Sequence, residues 1–260
     1  MSALLGALGW AVGGLHLLSI LVFSALLTAS AVYWFADRIA LGMVGARELP
    51  LGESPALHST VERLAARAGV PKPKLYLLPD GHPRALVAGR GPHGSGLAVS
   101  AGLLGIGVPA ELEGLIAHEL AHIRHRDVLL QTAAVVLAAT LIELTRVGGW
   151  LQRGLLFVLG PIAAAFVHLL LSPQREFAAD LAAASICETP HGLADALIRL
   201  EQANELIEFQ ASAATEPLYP INPFAEEGLG SLFNTHPRLL DRVVRLRELD
   251  PDWRANLRAA

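Results

Sequence analysis

The first 36 residues of the chain contain no Asp, Glu, Lys or Arg. This apolar stretch exceeds the roughly 20 residues that an α-helix needs to cross a bilayer. It is too short for two complete spans joined by a turn, so we expect one membrane-spanning helix within residues 1–36. A cleaved signal peptide is the alternative, but the apolar region is longer than such signals have and no basic residue precedes it.

A second apolar region covers residues 128–171 and consists of two stretches, 128–142 and 154–171, separated by a segment that contains Arg146 and Arg153. We interpret it as a helical hairpin that crosses the membrane and returns. Each stretch is slightly short for a span, so a hairpin that is buried in protein or enters the lipid only partly is the alternative. The whole chain is 53% hydrophobic and only 17% charged, against about 25% charged residues in soluble domains, which also favours membrane segments.

Charge and cysteine content exclude two classes of protein. The net charge of −4 gives no electrostatic reason to expect a nucleic-acid partner. The single cysteine, Cys187, excludes an intramolecular disulfide framework. Nothing near it in the sequence predicts an activated thiolate.

Residues 37–127 and 172–260 are more polar and flank the predicted hairpin, so we expect them to pack together as one discontinuous domain. Their apolar spacing predicts a helix over residues 54–68, a helix that opens at Pro109, and helices over 191–209 and 237–249. Short strands are predicted at residues 74–78, 85–88 and 96–100, with turn-forming residues between them.

The run His118–His122 has the pattern His-Glu-x-x-His. Residues four apart share one face of a helix, so both imidazoles can reach one zinc ion. Glu119 points beside that face, where it can accept a proton from a water molecule at the metal. The alternative interpretation is that both histidines lie on the protein surface and bind no metal. The apolar surroundings of the motif disfavour it.

A catalytic zinc ion normally has three protein ligands. The best third ligand is Glu176, on a predicted helix that starts where the hairpin ends, and Asp180 four residues later could hydrogen-bond a ligand histidine. An acidic pair that only favours a helix N-terminus is the alternative. His125 competes for the ligand role, but three ligands on one straight helix surround a tetrahedral ion poorly.

Taken together, these features resemble the HtpX-type membrane zinc metalloproteases, which are related to the CAAX prenyl endopeptidases. The resemblance covers most of the chain from about Lys72 onward. It is carried by Ala98–Leu104, His118–Val128, Arg175–Phe177 with Asp180, and Thr235–Pro237 followed by Arg242.

The resemblance implies a gluzincin-like fold, mainly α with a small β-sheet, and transmembrane helices. It implies one Zn²⁺ per chain, held by His118, His122 and Glu176, with Glu119 as the general base. Asp180 would orient a ligand, and His236 would donate to the oxyanion. The substrate would be a protein or peptide bound as an extended strand along Ala98–Ser100, expected to be an edge strand. The expected role is quality control of misfolded or membrane proteins.

The chain departs from the family pattern at two places. Arg84 stands where the family usually has an Asn that lines the site, which leaves that polar contact open. Its guanidinium could donate to the oxyanion instead, or the site could select different substrates. The amino-terminal region is shorter than the two spans usual in the family. Three spans with Arg38 and Arg47 just after the first predict a zinc domain that faces the cytoplasm from a bacterial inner membrane, although Arg146 and Arg153 oppose this orientation.

Two other functions remain open from the sequence. A prenyl-protein endopeptidase would need a larger intramembrane chamber than this chain's few spans provide. A non-catalytic membrane scaffold or chaperone would not need Glu119, which is present here. The sequence does not indicate the oligomeric state.

Overall fold

The computed structural model describes residues 19–20, 22–24, 26–27, 30, 33–35, 37–106, 108–135, 172–206 and 237–250. The chain divides into two compact units, Met1–Ala36 and Asp37–Ala260. In the first unit, the described residues are helical. The elements below belong to the second unit.

Four strands form one sheet in the order β1-β2-β4-β3. The strands are β1 (Arg47–Glu48), β2 (Lys74–Leu78), β3 (Ala85–Gly89) and β4 (Ser95–Ser100). β2 and β4 are parallel, whereas β1 pairs antiparallel with β2 and β3 antiparallel with β4. The three predicted strands are therefore present. Strand β1 was not predicted, because a strand of two residues is too short to show a periodic pattern.

Six helices of the second unit have defined bounds within the described residues. They are α1 (Pro55–Ala68), α2 (Ala101–Ile106), α3 (Pro109–His125), α4 (Pro173–Cys187), α5 (His191–Leu206) and α6 (Leu239–Glu248). α1 has the predicted face: the buried residues are Leu57, Val61, Leu64, Ala65 and Ala68. It ends as expected at Gly69, whose φ of 70° and backbone bond to Ala66 close the last turn.

Helix α3 lies at the centre of the domain. It packs against α1, α4, α5 and strand β3, and every residue from Gly114 to Ile123 is buried. A helix covered on all sides can keep polar groups dry only if other elements supply partners. The polar residues within this stretch are those of the predicted metal motif.

The sheet is covered on both faces. Alternate residues of β3 belong to different cores: Ala85 and Val87 face the main core around α1 and α3, and Leu86 and Ala88 face a smaller cluster with Ala40, Leu41 and Val135. Burial on both faces explains why these strands read as short continuous apolar runs.

One prediction about the sheet is wrong. The strand at Ala98–Ser100 was expected at an edge, but β4 lies between β2 and β3, and the residues that follow form helix α2. All six β4 residues are buried, as suits a strand paired on both sides. Within the described residues, β3 is the edge strand next to α3.

The predicted membrane segments fall largely outside the described residues. Residues 1–18 and 136–171 are not described, and only 128–135 of the predicted hairpin are seen, as helix. In the described part of the chain, no helix is long and apolar enough to cross a membrane.

The crossing of α3 and α5 depends on glycine at position 114. A Cβ at Gly114 would lie 2.5 Å from the backbone nitrogen of Leu193. We expect Gly114→Ala to destabilise the domain by about 1–3 kcal/mol, since backbone cannot move aside as a flexible side chain can. Thermal unfolding in detergent measures this as a lower Tm.

The matched control is Gly105→Ala in the exposed part of α2, where a Cβ meets nothing within 4 Å. Alanine there should leave Tm unchanged or raise it, because glycine disfavours helix by about 1 kcal/mol. Equal Tm values for the two variants would contradict the close packing at Gly114.

Candidate metal centre

His118 and His122 project from the same face of α3 into the interior. Their side chains are 0% and 3% exposed. The Nε2 atoms lie 3.2 Å apart, and the two rings are perpendicular, with centroids 4.8 Å apart. The spacing of four residues therefore brings two nitrogen donors together, as the motif predicts.

Glu176 completes the cluster from helix α4, on the other side of the undescribed segment. Its Oε1 lies 3.5 Å from His122 Nε2, and its Oε2 lies 3.6 Å from His118 Nε2. The side chain is 9% exposed. The structure thus brings together the three residues that the sequence analysis named as ligands.

The spacing of these atoms fits a metal ion. A tetrahedral zinc ion with bonds of about 2.0–2.2 Å separates its ligand atoms by about 3.3–3.6 Å, and the separations here are 3.2, 3.5 and 3.6 Å. The donor set of two imidazoles and one carboxylate also matches zinc chemistry. His118, His122 and Glu176 could therefore hold a metal ion.

His118 is held from behind by a buried ion pair. Its Nδ1 lies 3.0 Å from Asp180 Oδ1, and Asp180 accepts two hydrogen bonds from Arg242, at 2.8 and 2.7 Å. Burial alone would lower the pKa of His118, but the carboxylates of Asp180 and Glu176 raise it to about 9. The surroundings of this ring therefore stabilise positive charge.

His122 has a carboxylate behind it as well. Its Nδ1 lies 3.5 Å from Asp127 Oδ2, and Arg175 donates a short hydrogen bond to the other oxygen of Asp127. Burial opposes ionisation of Asp127, but the nearby His122 ring and the hydrogen bond from Arg175 hold the pKa of Asp127 below its ordinary value. Burial lowers the pKa of His122 itself, which favours the neutral ring that a metal requires.

Glu119 is buried beside the cluster at 3% exposure. Burial raises the pKa of its carboxyl group to about 8, although the backbone amide of Val87 on β3 hydrogen-bonds it and acts in the opposite direction. A carboxyl group with a pKa near neutrality can both take up and release a proton. The hydrogen bond from the Val87 backbone N–H also fixes Glu119 next to the edge strand.

The cluster does not include three other residues singled out in the sequence, His125, Arg84 and Cys187. His125 is exposed. Arg84 is buried and forms an ion pair with Asp80. Burial raises the pKa of Cys187 to about 11, which leaves its thiol protonated. His236 lies outside the described residues.

Two residues of the site had no role assigned from sequence. Asp127 and Arg242 were recognised only as parts of the family pattern, and neither shares a helical face with a ligand that would reveal its contact. Asp127 reaches His122 because the chain turns after α3: Arg126 has a φ of 64°, and the Asp127 amide bonds the His122 carbonyl. Arg242 reaches Asp180 only through the docking of α6 on α4.

Comparison with known proteins agrees with this geometry. The sequence profile described as Peptidase family M48 matches residues 52–250. A protease HtpX homolog from Persephonella marina is 37% identical over 261 residues, which is 93% of this chain and 91% of the relative. A protease HtpX homolog from Pyrococcus abyssi is 38% identical, over 96% of this chain and 92% of the relative.

Solved structures of similar fold include the crystal structure of S. mikatae Ste24p, which superimposes with a TM-score of 0.53 at 19% identity. The match covers 94% of this chain and 61% of that chain. At this identity the similarity concerns the fold alone.

The fold and the buried His-His-Glu cluster define a metalloprotease. The chain belongs to peptidase family M48. The resemblance to HtpX-type membrane metalloproteases drawn from the sequence is thereby confirmed.

Proposed function

We propose that this protein is a membrane-bound zinc endopeptidase that holds one Zn²⁺ per chain through His118, His122 and Glu176. The observation that carries the proposal is the convergence of their donor atoms at separations of 3.2–3.6 Å in a buried cluster. When bound there, the ion would act as a Lewis acid that polarises a peptide carbonyl and makes a water molecule more acidic.

Glu119 is the general base in this proposal. Its pKa of about 8 places proton uptake and release near neutral pH. The carboxylate of Glu119 takes the proton from the attacking water, and the carboxylic acid so formed delivers it to the leaving amine. Its bond to the Val87 amide supports this role, because it holds the base beside the strand along which we expect the substrate to bind.

We propose that the substrate is an extended peptide that pairs with the free edge of β3. The sequence analysis had expected the substrate to pair with the segment that forms β4. In the antiparallel pair, Leu86 lies opposite Ala98, and the Ser100 backbone N–H donates a hydrogen bond to the Arg84 carbonyl. Since hydrogen-bonded positions alternate along an antiparallel pair, the backbone groups of the even-numbered β3 residues are those that hydrogen-bond to β4. The backbone groups of Ala85 and the carbonyl of Val87 consequently face away from β4, and the amide of Val87 on the same side donates to Glu119. Backbone pairing of this kind accepts many sequences, as suits an enzyme that degrades misfolded or membrane proteins.

His236 would stabilise the oxyanion, as the resemblance implies. Arg84 does not take over that function in this proposal, since its guanidinium bonds Asp80. In this proposal the chemistry rests on Glu119 and His236 together with the three metal ligands.

We place the metalloprotease domain on the cytoplasmic side of a bacterial inner membrane, anchored by residues 1–36 and 128–171. Arg38 and Arg47 after the first apolar segment support this orientation. Reporters fused after Ser100 test it: a fluorescent reporter should be active, and alkaline phosphatase, which requires export, should not. An active phosphatase fusion would reverse the orientation.

Metal analysis of protein purified in detergent tests the ligands. The wild type should contain one zinc per chain, and His118→Ala and Glu176→Ala should both contain far less, because two remaining ligands bind weakly. His125→Ala is the matched control, since this exposed histidine lies on the same helix, and it should retain full zinc. Full zinc in Glu176→Ala would exclude Glu176 as a ligand.

Cleavage of casein with added zinc tests the enzymatic role. We expect Glu119→Gln to retain zinc and to lose activity by about 10²–10⁴-fold, because an amide cannot act as a base. Glu113→Gln provides a matched control on the same helix, where Glu113 forms a partly exposed ion pair with Arg63, and should cleave normally. If Glu119→Gln cleaves as fast as the wild type, the protein is not a protease of this mechanism.

A further inference from the structure

An ion pair joins the two sides of the predicted hairpin next to the metal centre. Asp127 directly precedes residues 128–171, and Arg175 follows them by four positions. Arg175 donates to Asp127 Oδ1. The Asp127 side chain is 5% exposed and that of Arg175 39%, so the pair is partly shielded from water and stronger than a surface pair.

We propose that Asp127 and Arg175 are positioning residues that orient His122 for metal binding and fix its helix against the helix that carries Glu176. The inference rests on the proposed function, in which His122 and Glu176 are ligands. Neither Asp127 nor Arg175 belongs to the three-residue cluster, and both act through the residues next to them.

Asp127 acts on the tautomer of His122. An imidazole can bind a metal through Nε2 only when its proton is on Nδ1. Asp127 Oδ2 lies 3.5 Å from Nδ1, and the Asp127 amide bonds the His122 carbonyl at 3.0 Å, which fixes the carboxylate on that side of the ring. A carboxylate there favours the Nδ1–H tautomer and leaves the Nε2 lone pair directed at His118 and Glu176.

Arg175 acts on Asp127. One oxygen of the Asp127 carboxylate, Oδ1, accepts the hydrogen bond from Arg175, and the other, Oδ2, faces His122. Without the guanidinium, the carboxylate could rotate away from the ring. Arg175 also adjoins Glu176 in the sequence, so the same bond limits the movement of the third ligand's helix relative to α3.

The proposed pair repeats the construction found behind the other histidine. His118 Nδ1 faces Asp180, which Arg242 holds with two hydrogen bonds. His122 Nδ1 faces Asp127, which Arg175 holds. The two supports come from different parts of the chain, but each places a carboxylate behind a ring and an arginine behind the carboxylate.

The zinc dissociation constant, measured by chelator competition on the full chain in detergent, tests the proposal. Asp127→Asn should weaken zinc binding by about 10–100-fold, the usual effect of losing such a carboxylate. Arg175→Gln should weaken it less. The double variant should bind zinc no more weakly than Asp127→Asn alone, because Arg175 acts through Asp127.

A purely structural role would give a different pattern. Under a purely structural role, the loss of zinc affinity would follow the loss of Tm of the zinc-free protein from variant to variant. That result, or additive losses of zinc affinity in the double variant, would overturn the proposal. Since neither residue contacts the β3 edge in the proposed pairing, KM for casein at saturating zinc should not change. Arg124→Gln is the matched control: this exposed arginine near the end of α3 should leave zinc affinity unchanged.

The outcomes separate this proposal from the proposed function. If His118→Ala binds zinc as tightly as the wild type, both fail. If His118→Ala loses zinc while Asp127→Asn and Arg175→Gln keep wild-type affinity, only the positioning role is overturned. Should Asp127→Asn not fold, Arg175→Gln decides, because its half-exposed side chain tolerates glutamine; wild-type affinity in that variant would overturn the proposal.

Discussion

Asp180 and Arg242 form an ion pair inside a core that is otherwise largely aliphatic, and the arrangement of the surrounding helices depends on it. Both side chains are almost inaccessible, at 5% and 1% exposure. Removing such charges from water costs on the order of several kcal/mol for each ion unless an opposite charge is adjacent. The two bonds between them supply that charge, and Phe177 packs under Arg245 at the same junction of α4 and α6.

This ion pair determines what the rest of the site can do. Because Arg242 lowers the pKa of Asp180 against the effect of burial, a carboxylate remains available behind His118. Glu176 lies one turn from Asp180 on α4 and is therefore fixed by the same contacts, with Arg242 Nη1 3.6 Å from its Oε2. The three ligands thus come from two helices: α3 supplies both histidines and α4 supplies Glu176. The position of α4 depends in turn on α6, which carries Arg242.

Much of the fold and of the cluster could be predicted from local sequence. Periodicity and turn chemistry act over a few residues and were enough for several features. These are the buried face of α1 and its end at Gly69, the three apolar strands, and the helix face that His118 and His122 share. Strand order does not have such a signal: the runs of β3 and β4 look alike, and both are buried on two faces, so the edge was assigned to the wrong strand. β1 has only two residues and was missed for lack of length.

Local sequence was enough to define the helix with its two histidines and glutamate, because a spacing of four residues places both histidines on one face whatever surrounds the helix. Together with the resemblance, it also indicated Glu176 and Asp180. The three-dimensional structure was needed to show that β3 lies beside Glu119, that Asp127 turns back to His122, and that Arg242 reaches Asp180 across 62 positions of sequence. Such contacts depend on how helices dock, and docking is set by the packing of whole faces and the neutralisation of buried charge, for which no local pattern exists.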